Sequence, residues 1–145
     1  MALDLGQKRV GVAVSDELQI TVRPLAPLRR TNWKQLLRSV ADSLESFDAR
    51  ALVIGLPLRL DGSVGEAAEE ARRIARNFQL SLRIPVFLQD EKLTSVEALE
   101  GLRAAGYDAA DSLQLVDSES AAIILRDFIA GHVSIKPFPE SIGEG

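Results

Sequence analysis

Carboxylate side chains stand at the ends of three apolar segments of the 145-residue sequence. Asp4 lies within ALDLG, Asp90 and Glu91 follow VFLQ, and Asp117 immediately precedes a segment with helical spacing. An acid inside an apolar strand is costly to bury unless it is paired or bound to a cation. Hard cations such as Mg²⁺ or Mn²⁺ prefer carboxylate oxygens, and a pair of them can activate water to attack a phosphodiester. These acids are therefore candidate metal ligands.

Each of these acids also has a purely structural interpretation. Asp4 could accept hydrogen bonds from the amides of a local turn, Glu91 could be a loop charge, and Asp117 could cap the last helix. Asp16 and Asp61 stand in the ordinary turn sequences SDE and DGS, so we leave them outside the metal site.

The N-terminal part of the chain predicts three strands. Residues 2–16 read as an apolar strand, a turn and a Val-rich second strand, which is typical of an antiparallel hairpin. Residues 22–29 alternate in polarity but contain Pro24 and Pro27. We therefore expect a third strand at the edge of the sheet, where missing amide donors cost little.

The rest of the chain predicts helices alternating with buried strands. In order, these are a helix capped by Thr31 or Asn32, a strand at 51–57, a helix at about 64–78, a strand ending in Asp90 and Glu91, a helix from Thr94 to about Ala105, and a last helix at 118–130 that stops at Gly131. Residues 107–116 are predicted mostly as a loop. We expect one α/β domain over residues 1–130, followed by a loosely held tail over 131–145.

Composition limits the possible classes of protein. Without cysteine there is neither a disulfide framework nor a thiolate metal site, and without an apolar run of membrane-spanning length we expect a cytoplasmic protein. The formal charge of -4 argues against tight, non-specific binding of polyanions across a whole face. A local basic surface is still possible, because cations are frequent in the first quarter of the chain: Lys8, Arg9, Arg23, Arg29, Arg30, Lys34 and Arg38.

Four sequence blocks carry a resemblance to a known family. They are ALDLGQKRVGVAVSD, VIGLPLRLDGSVG, DEKLTS and VDSESAAIIL, and they span residues 2–125. In order and separation they resemble the YqgF family of Holliday junction resolvases. The resemblance implies an RNase H-like fold, with a mixed five-stranded sheet whose first three strands are antiparallel and helices on both faces. It also implies a metal-dependent nuclease that resolves Holliday junction DNA or trims the 5′ end of pre-16S rRNA.

The resemblance places the family's acidic triad on Asp4, Glu91 and Asp117, with Asp90 able to share the second position. Successive residues of a strand face opposite ways, so only one of Asp90 and Glu91 should reach the metal, and we prefer Glu91. The matched positions to which we assign substrate binding are Gly6, Lys8, Arg9, Gly62, Ser63, Lys92 and Ser95.

These substrate-binding positions have physical rationales. Gly6 would let the backbone approach a phosphate, and Lys8 and Arg9 would supply charge to it. Gly62 and Ser63 precede the second helix, whose first amides can bind an anion.

Two other functions remain as alternatives. A catalytically weak RNA- or ribosome-associated binding module is favoured by the acidic balance and by the scarcity of cations near the last acid, where this chain has SLQLVD. An actin-like ATPase fragment is suggested by LDLG after a strand, but such enzymes need a second domain. His132 falls in the predicted tail, so we expect no histidine-based mechanism. DNA or RNA as substrate, and monomer or homodimer, stay open.

Overall fold

Eight helices and strands make up the parts of the chain that this computed structural model describes, residues 1–59, 61–91 and 109–132, without the side chains of 109–117 and 132. They are β1 (Ala2–Leu5), β2 (Arg9–Ser15), β3 (Val22–Arg29), α1 (Trp33–Ser46), β4 (Leu52–Pro57), α2 (Glu66–Leu82), β5 (Val86–Glu91) and α3 (Ala109–His132).

The five strands form one mixed sheet in the order β3-β2-β1-β4-β5. The pairs β1–β2 and β2–β3 are antiparallel, whereas β1–β4 and β4–β5 are parallel. The predicted five-stranded sheet with three antiparallel strands is confirmed. The carboxyl ends of β1, β3, β4 and β5 therefore meet at one edge, which we call the carboxyl edge. After β1 the chain continues to β2 on one side, and after β4 it continues to β5 on the other side. Open α/β sheets bind ligands outside the carboxyl ends of the strands at such a point, where the direction of the strand order reverses.

Helices cover both faces of the sheet, as expected. Leu3 joins the core beneath α1 and α2, whereas Ala2 joins the smaller core beneath α3. This alternation follows from the two-residue period of a strand, and it directs Asp4 toward α3 and Leu5 away from it. Among the described residues, no helix is both long and apolar enough to cross a membrane.

Local signals in the sequence set the start of α1 and the position of β3. The strand with Pro24 and Pro27 lies at the sheet edge, as predicted. Asn32 is the N-cap of α1, and its side-chain oxygen accepts a hydrogen bond from the Gln35 amide at 2.9 Å. Of the two predicted caps, Asn32 is the one that acts.

The last helix corrects three expectations from the sequence. It begins at Ala109, so the predicted loop is wrong over residues 109–116, where alanine and leucine favour a helix. Asp117 lies inside this helix and is not its cap. Gly131 does not stop the helix, which ends at His132. The predicted helix at 94–105 and residues 133–145 of the predicted tail lie outside the described residues.

Helix α2 is displaced from its predicted bounds of about 64–78. It begins at Glu66, with Gly65 as N-cap, and runs to Leu82. Arg83 ends it in the left-handed conformation, with φ of 56°. The apolar spacing that predicted this helix does continue through Phe78, but the chain before Glu66 is held in a turn.

Two close contacts hold α3 against the sheet. The buried Ser118 hydroxyl accepts a hydrogen bond from the Val12 amide at 3.2 Å, beside an irregularity in β2 where the register shifts between Val10 and Val12. A Cβ on Gly55 would lie 2.5 Å from Cδ1 of Ile124, so a side chain at this position of β4 would require the Ile124 side chain to move.

Replacing Ser118 with Ala leaves the buried Val12 amide without its acceptor. We expect the free energy of unfolding to fall by about 1–3 kcal/mol, measured by urea denaturation. Ser46→Ala, at the exposed end of α1, is the matched control and should stay within about 0.5 kcal/mol of the unsubstituted chain. Equal effects of the two substitutions would contradict the anchoring role of Ser118.

Candidate active site

Asp4 and Glu91 share a cleft at the carboxyl edge, beneath α3. The cleft has a volume of about 70 Å³ and is also lined by Gly55, Pro57, Ser120 and Ile124. Asp4 comes from β1 and Glu91 from the last position of β5, and β4 lies between these two strands. The parallel pairing of β1, β4 and β5 thus brings together two carboxylates that are far apart in the sequence.

Strand alternation separates Glu91 from its neighbour Asp90. Phe87 of β5 packs on Phe128 of α3, with ring centroids 4.9 Å apart, so Phe87 and Glu91 face α3. The Oε2 atom of Glu91 is buried, whereas Asp90 is exposed. The structure therefore places Glu91, and not Asp90, beside Asp4.

The third predicted acid, Asp117, belongs to α3 and precedes Ser120 by about one helical turn. Because Ser120 and Ile124 line the cleft, helical periodicity puts Asp117 on the same side of the helix. Its side chain lies outside the described residues. Among the side chains that are described, no three of the metal-ligating types come together.

A second acid of α3 has a different role. Glu119 is buried, and its Oε2 accepts a hydrogen bond from Arg126 at 3.3 Å. Arg126 in turn donates to the Val22 carbonyl at 3.4 Å on the edge strand. This pair ties α3 to β3 and belongs to the structural framework.

The hairpin turn holds three of the predicted substrate-binding residues. The Gly6 amide donates to the Arg9 carbonyl at 3.0 Å, and a Cβ on Gly6 would lie 2.6 Å from that same oxygen. The turn itself therefore requires glycine, independently of any ligand. Lys8 and Arg9 are exposed and do not line the carboxylate cleft.

The turn before α2 holds two more of the predicted substrate-binding residues, Gly62 and Ser63. Gly62 has a φ of 86°, and the Asp61 carboxylate accepts from the Ser63 amide at 2.8 Å, as expected of a turn aspartate. The Ser63 hydroxyl is buried. Neither Gly62 nor Ser63 lines the carboxylate cleft. Lys92 and Ser95 lie outside the described residues.

Asp16 also has the turn role expected for it. Its carboxylate accepts from the amides of Ile20 and Thr21, and the bond from Thr21 lowers the pKa of this exposed acid. It lies at the opposite end of β2 from the cleft.

Ser120 is the cleft residue that sequence reasoning missed. A signal for it exists, because Ser120 stands three residues after Asp117, and a helix continuous through both would place them on one face. The loop predicted up to Val116 concealed that relation.

A mixed five-stranded sheet that begins with an antiparallel hairpin, together with carboxylates under the last helix at its carboxyl edge, defines an RNase H-like α/β domain. Solved structures agree. The Thermus thermophilus RuvC structure has a TM-score of 0.54 at 14% identity and covers 94% of this chain and 97% of that one. T. thermophilus RuvC in complex with a Holliday junction substrate gives 0.53 at 16% identity. At such identities the likeness shows the fold.

Sequence comparison establishes the family. The model described as "RuvX: Holliday junction resolvase" matches residues 1–131, so the chain belongs to the RuvX (YqgF) family. An Anaeromyxobacter sp. (strain Fw109-5) protein named "Putative pre-16S rRNA nuclease" is 38% identical over 90% of this chain and 96% of its own length. A Burkholderia mallei (strain SAVP1) relative of the same name is 40% identical over 90% and 87%. The family predicted from the four sequence blocks is confirmed, as is the nuclease class.

Substituting Gly6 with Ala tests the requirement of the turn. The added Cβ meets a backbone oxygen, which has little freedom to move, so we expect a loss of about 1–3 kcal/mol in the free energy of unfolding. Gly131→Ala is the control, because nothing lies within 4 Å of a Cβ there and α3 gains a better helix former. If Gly6→Ala is as stable as Gly131→Ala, the turn does not require glycine.

Proposed function

We propose that the chain is a metal-dependent nuclease in which Asp4, Glu91 and Asp117 hold the metal. The observation that carries this proposal is the shared cleft of Asp4 and Glu91 at the carboxyl edge, in a chain of the RuvX family. We further propose that residues 1–130 form a single nuclease domain, which the family match over residues 1–131 supports.

The residues of the cleft fit a hard cation. All their polar side-chain atoms are oxygens, from two carboxylates and the Ser120 hydroxyl, and these are the ligands that Mg²⁺ and Mn²⁺ prefer. One of them, Glu91 Oε2, is buried, where an ionised group is favoured by a nearby cation. Asp90, exposed on the other face, is not proposed as a ligand.

When bound, Mg²⁺ or Mn²⁺ supplies Lewis-acid activation of water and charge stabilisation at the phosphate. The protein supplies position. Strand pairing through β4 fixes the separation of Asp4 and Glu91, and α3 closes one side of the cleft. With about 70 Å³, this cleft is much smaller than the several hundred Å³ of a small-molecule pocket. The phosphodiester must therefore approach at the carboxyl edge, which suits a polymer backbone better than ATP.

The substrate we propose first is the precursor of 16S rRNA. Its support is the name shared by the curated relatives at 38–40% identity. Such a role would place the protein in the cytoplasm, and a monomer would suffice for trimming an RNA end. The second candidate is Holliday junction DNA, which the family description supports. Cutting two symmetric strands would favour a homodimer.

Asp4→Asn should abolish cleavage while the fold is retained. Losing several kcal/mol of transition-state stabilisation corresponds to a fall of at least about 100-fold in the cleavage rate. The assay compares labelled pre-16S rRNA fragments with four-way DNA junctions, in Mg²⁺, Mn²⁺ or EDTA. Cleavage of one substrate that needs metal and Asp4 establishes the reaction and its target. Binding without cleavage, by a folded chain in any metal, would instead favour the binding-module alternative.

Glu91→Gln and Asp90→Asn form a matched pair of neighbouring substitutions. Each removes one charge, but only Glu91 lines the cleft. We expect Glu91→Gln to lower the cleavage rate at least about 100-fold and to raise the Mg²⁺ concentration needed for half-maximal rate. Asp90→Asn should stay within a few-fold of the unsubstituted chain. The reverse ranking would assign the second ligand to Asp90.

A further inference from the structure

A groove runs along α2 and, at its far end, between α2 and the start of α1. It opens at the same carboxyl edge as the carboxylate cleft, but on the opposite face of the sheet. Its wide part, of about 770 Å³, begins at Leu5, Gly6 and Gln7. Its narrow part, of about 260 Å³, ends at Trp33 and Asn77. Both parts are lined by Arg30 and Arg73, so they adjoin at these two side chains, and we call them together the α1–α2 groove.

The groove begins close to the candidate active site. Asp4 and Gly6 are separated by one residue, so their Cα atoms lie at most about 7 Å apart. Asp4 faces α3 and Leu5 faces the groove, and the hairpin turn forms the rim between them. From Glu66 to Asn77 the groove follows α2 for about 16 Å, which is room for a few nucleotides. A nucleic-acid strand that crosses the carboxyl edge at Asp4 can therefore continue along the groove.

Trp33 gives the narrow part of the groove an aromatic surface. The side chain is 36% exposed. It also packs on the fully buried Phe78, with ring centroids 4.8 Å apart, so the core holds it in place. An exposed indole held in this way can stack on a nucleobase of any sequence.

Arginines give the same part a positive charge. Among the described residues, those that line the narrow part include Arg30 and Arg73 and no acid. Arg30 is held by the Gly6 carbonyl at 2.8 Å and by Glu70 at 3.1 Å. The Arg73 side chain is 64% exposed and its guanidinium is 3.8 Å from Glu70, which leaves most of its donors accessible to a phosphate.

The wide part contains acids that limit the type of nucleic acid. Glu66, Glu69 and Glu70 line it together with three arginines, so it has no excess of positive charge. A duplex lying across it would bring many phosphates near these carboxylates, whereas a single strand needs few phosphate contacts and gains from stacking. The groove therefore suits a single strand.

We propose that the α1–α2 groove binds a single-stranded segment of the nucleic acid next to the cleavage point, with Trp33 stacking on a base and Arg73 contacting a phosphate. This proposal rests on the proposed nuclease function, because cleavage at the carboxylate cleft sets the direction in which the nucleic-acid strand runs into the groove. Recognition of a base face and a phosphate is common to RNA and DNA.

The test uses the full chain in EDTA, so that nothing is cleaved, with labelled RNA and DNA single strands of mixed sequence and a duplex of equal length. Trp33 is the sole tryptophan of the sequence, so its fluorescence reports on the groove directly. We expect a single strand to quench this fluorescence in step with the rise in anisotropy of its label, and to bind more tightly than the duplex. Binding seen by anisotropy without any change in Trp33 emission would overturn the proposal.

Substitutions separate stacking from charge. Trp33→Ala should weaken single-strand binding between about 5-fold and 150-fold, with Trp33→Phe intermediate. Arg73→Ala should weaken it and lower the slope of log affinity against log salt by about 0.7. Arg72→Ala is the matched control, because Arg72 pairs with Glu69 as Arg73 pairs with Glu70 but does not line the groove. Equal binding by the Arg72 and Arg73 variants would overturn the proposal even if Trp33→Ala fails to fold.

Cleavage assays keep the two proposals distinguishable. If the chain cleaves its substrate, the groove variants should raise KM while kcat stays nearly unchanged. Cleavage with an unchanged KM in Trp33→Phe and Arg73→Ala would refute the groove and leave the nuclease intact. Groove-dependent binding of single strands without cleavage in any metal would refute the nuclease and leave the groove proposal intact.

Discussion

The close approach of α3 to the sheet is the constraint on which the candidate site depends. Asp4 and Glu91 belong to strands, whereas Asp117 and Ser120 belong to this helix, so the distance between helix and sheet sets the width of the cleft. Gly55 allows that distance, since a side chain there would overlap Ile124. Ser118 fixes it, because its hydroxyl accepts a hydrogen bond from the Val12 amide, beside the irregular pairing of β2. The anchoring residue thus directly follows the proposed third ligand in sequence.

The sheet separates two cavities, to which we assign different proposed functions, onto its two faces. Strand alternation sends Asp4 toward α3 and Leu5 toward α1 and α2, so adjacent residues of β1 open into different cavities. One cavity is small and carries carboxylates, which suits a metal ion. The other is larger and carries arginines and a tryptophan, with glutamates in its wide part, which suits a polymer. The hairpin turn lies between them, and its Gly6 carbonyl holds Arg30 in the groove. A single turn therefore connects the position of the proposed metal ligands with that of the proposed substrate contacts.

Much of the fold followed from local patterns in the sequence. The hairpin, the edge strand with two prolines, the buried strand β4 and the cap Asn32 each have signals that act within a few residues. The start of α3 was missed because residues 109–116 lack a one-sided apolar pattern. The sequence did offer one neglected sign, since Asp108, a favoured N-cap type, directly precedes Ala109.

The site was harder to derive, because its parts meet only through long-range pairing. Alternation within β5 was enough to prefer Glu91 to Asp90, but nothing local brings Glu91 to Asp4. Their shared position in the cleft needs β4 to pair in parallel with both β1 and β5. The resemblance supplied the acids without this geometry, and it gave no indication of Trp33, whose pairing with Phe78 joins α1 to α2. An exposed tryptophan on a helix is ordinarily read as a chance surface residue. Here the fully buried Phe78 behind it and the arginines beside it make it part of a defined surface, and that distinction requires the tertiary structure.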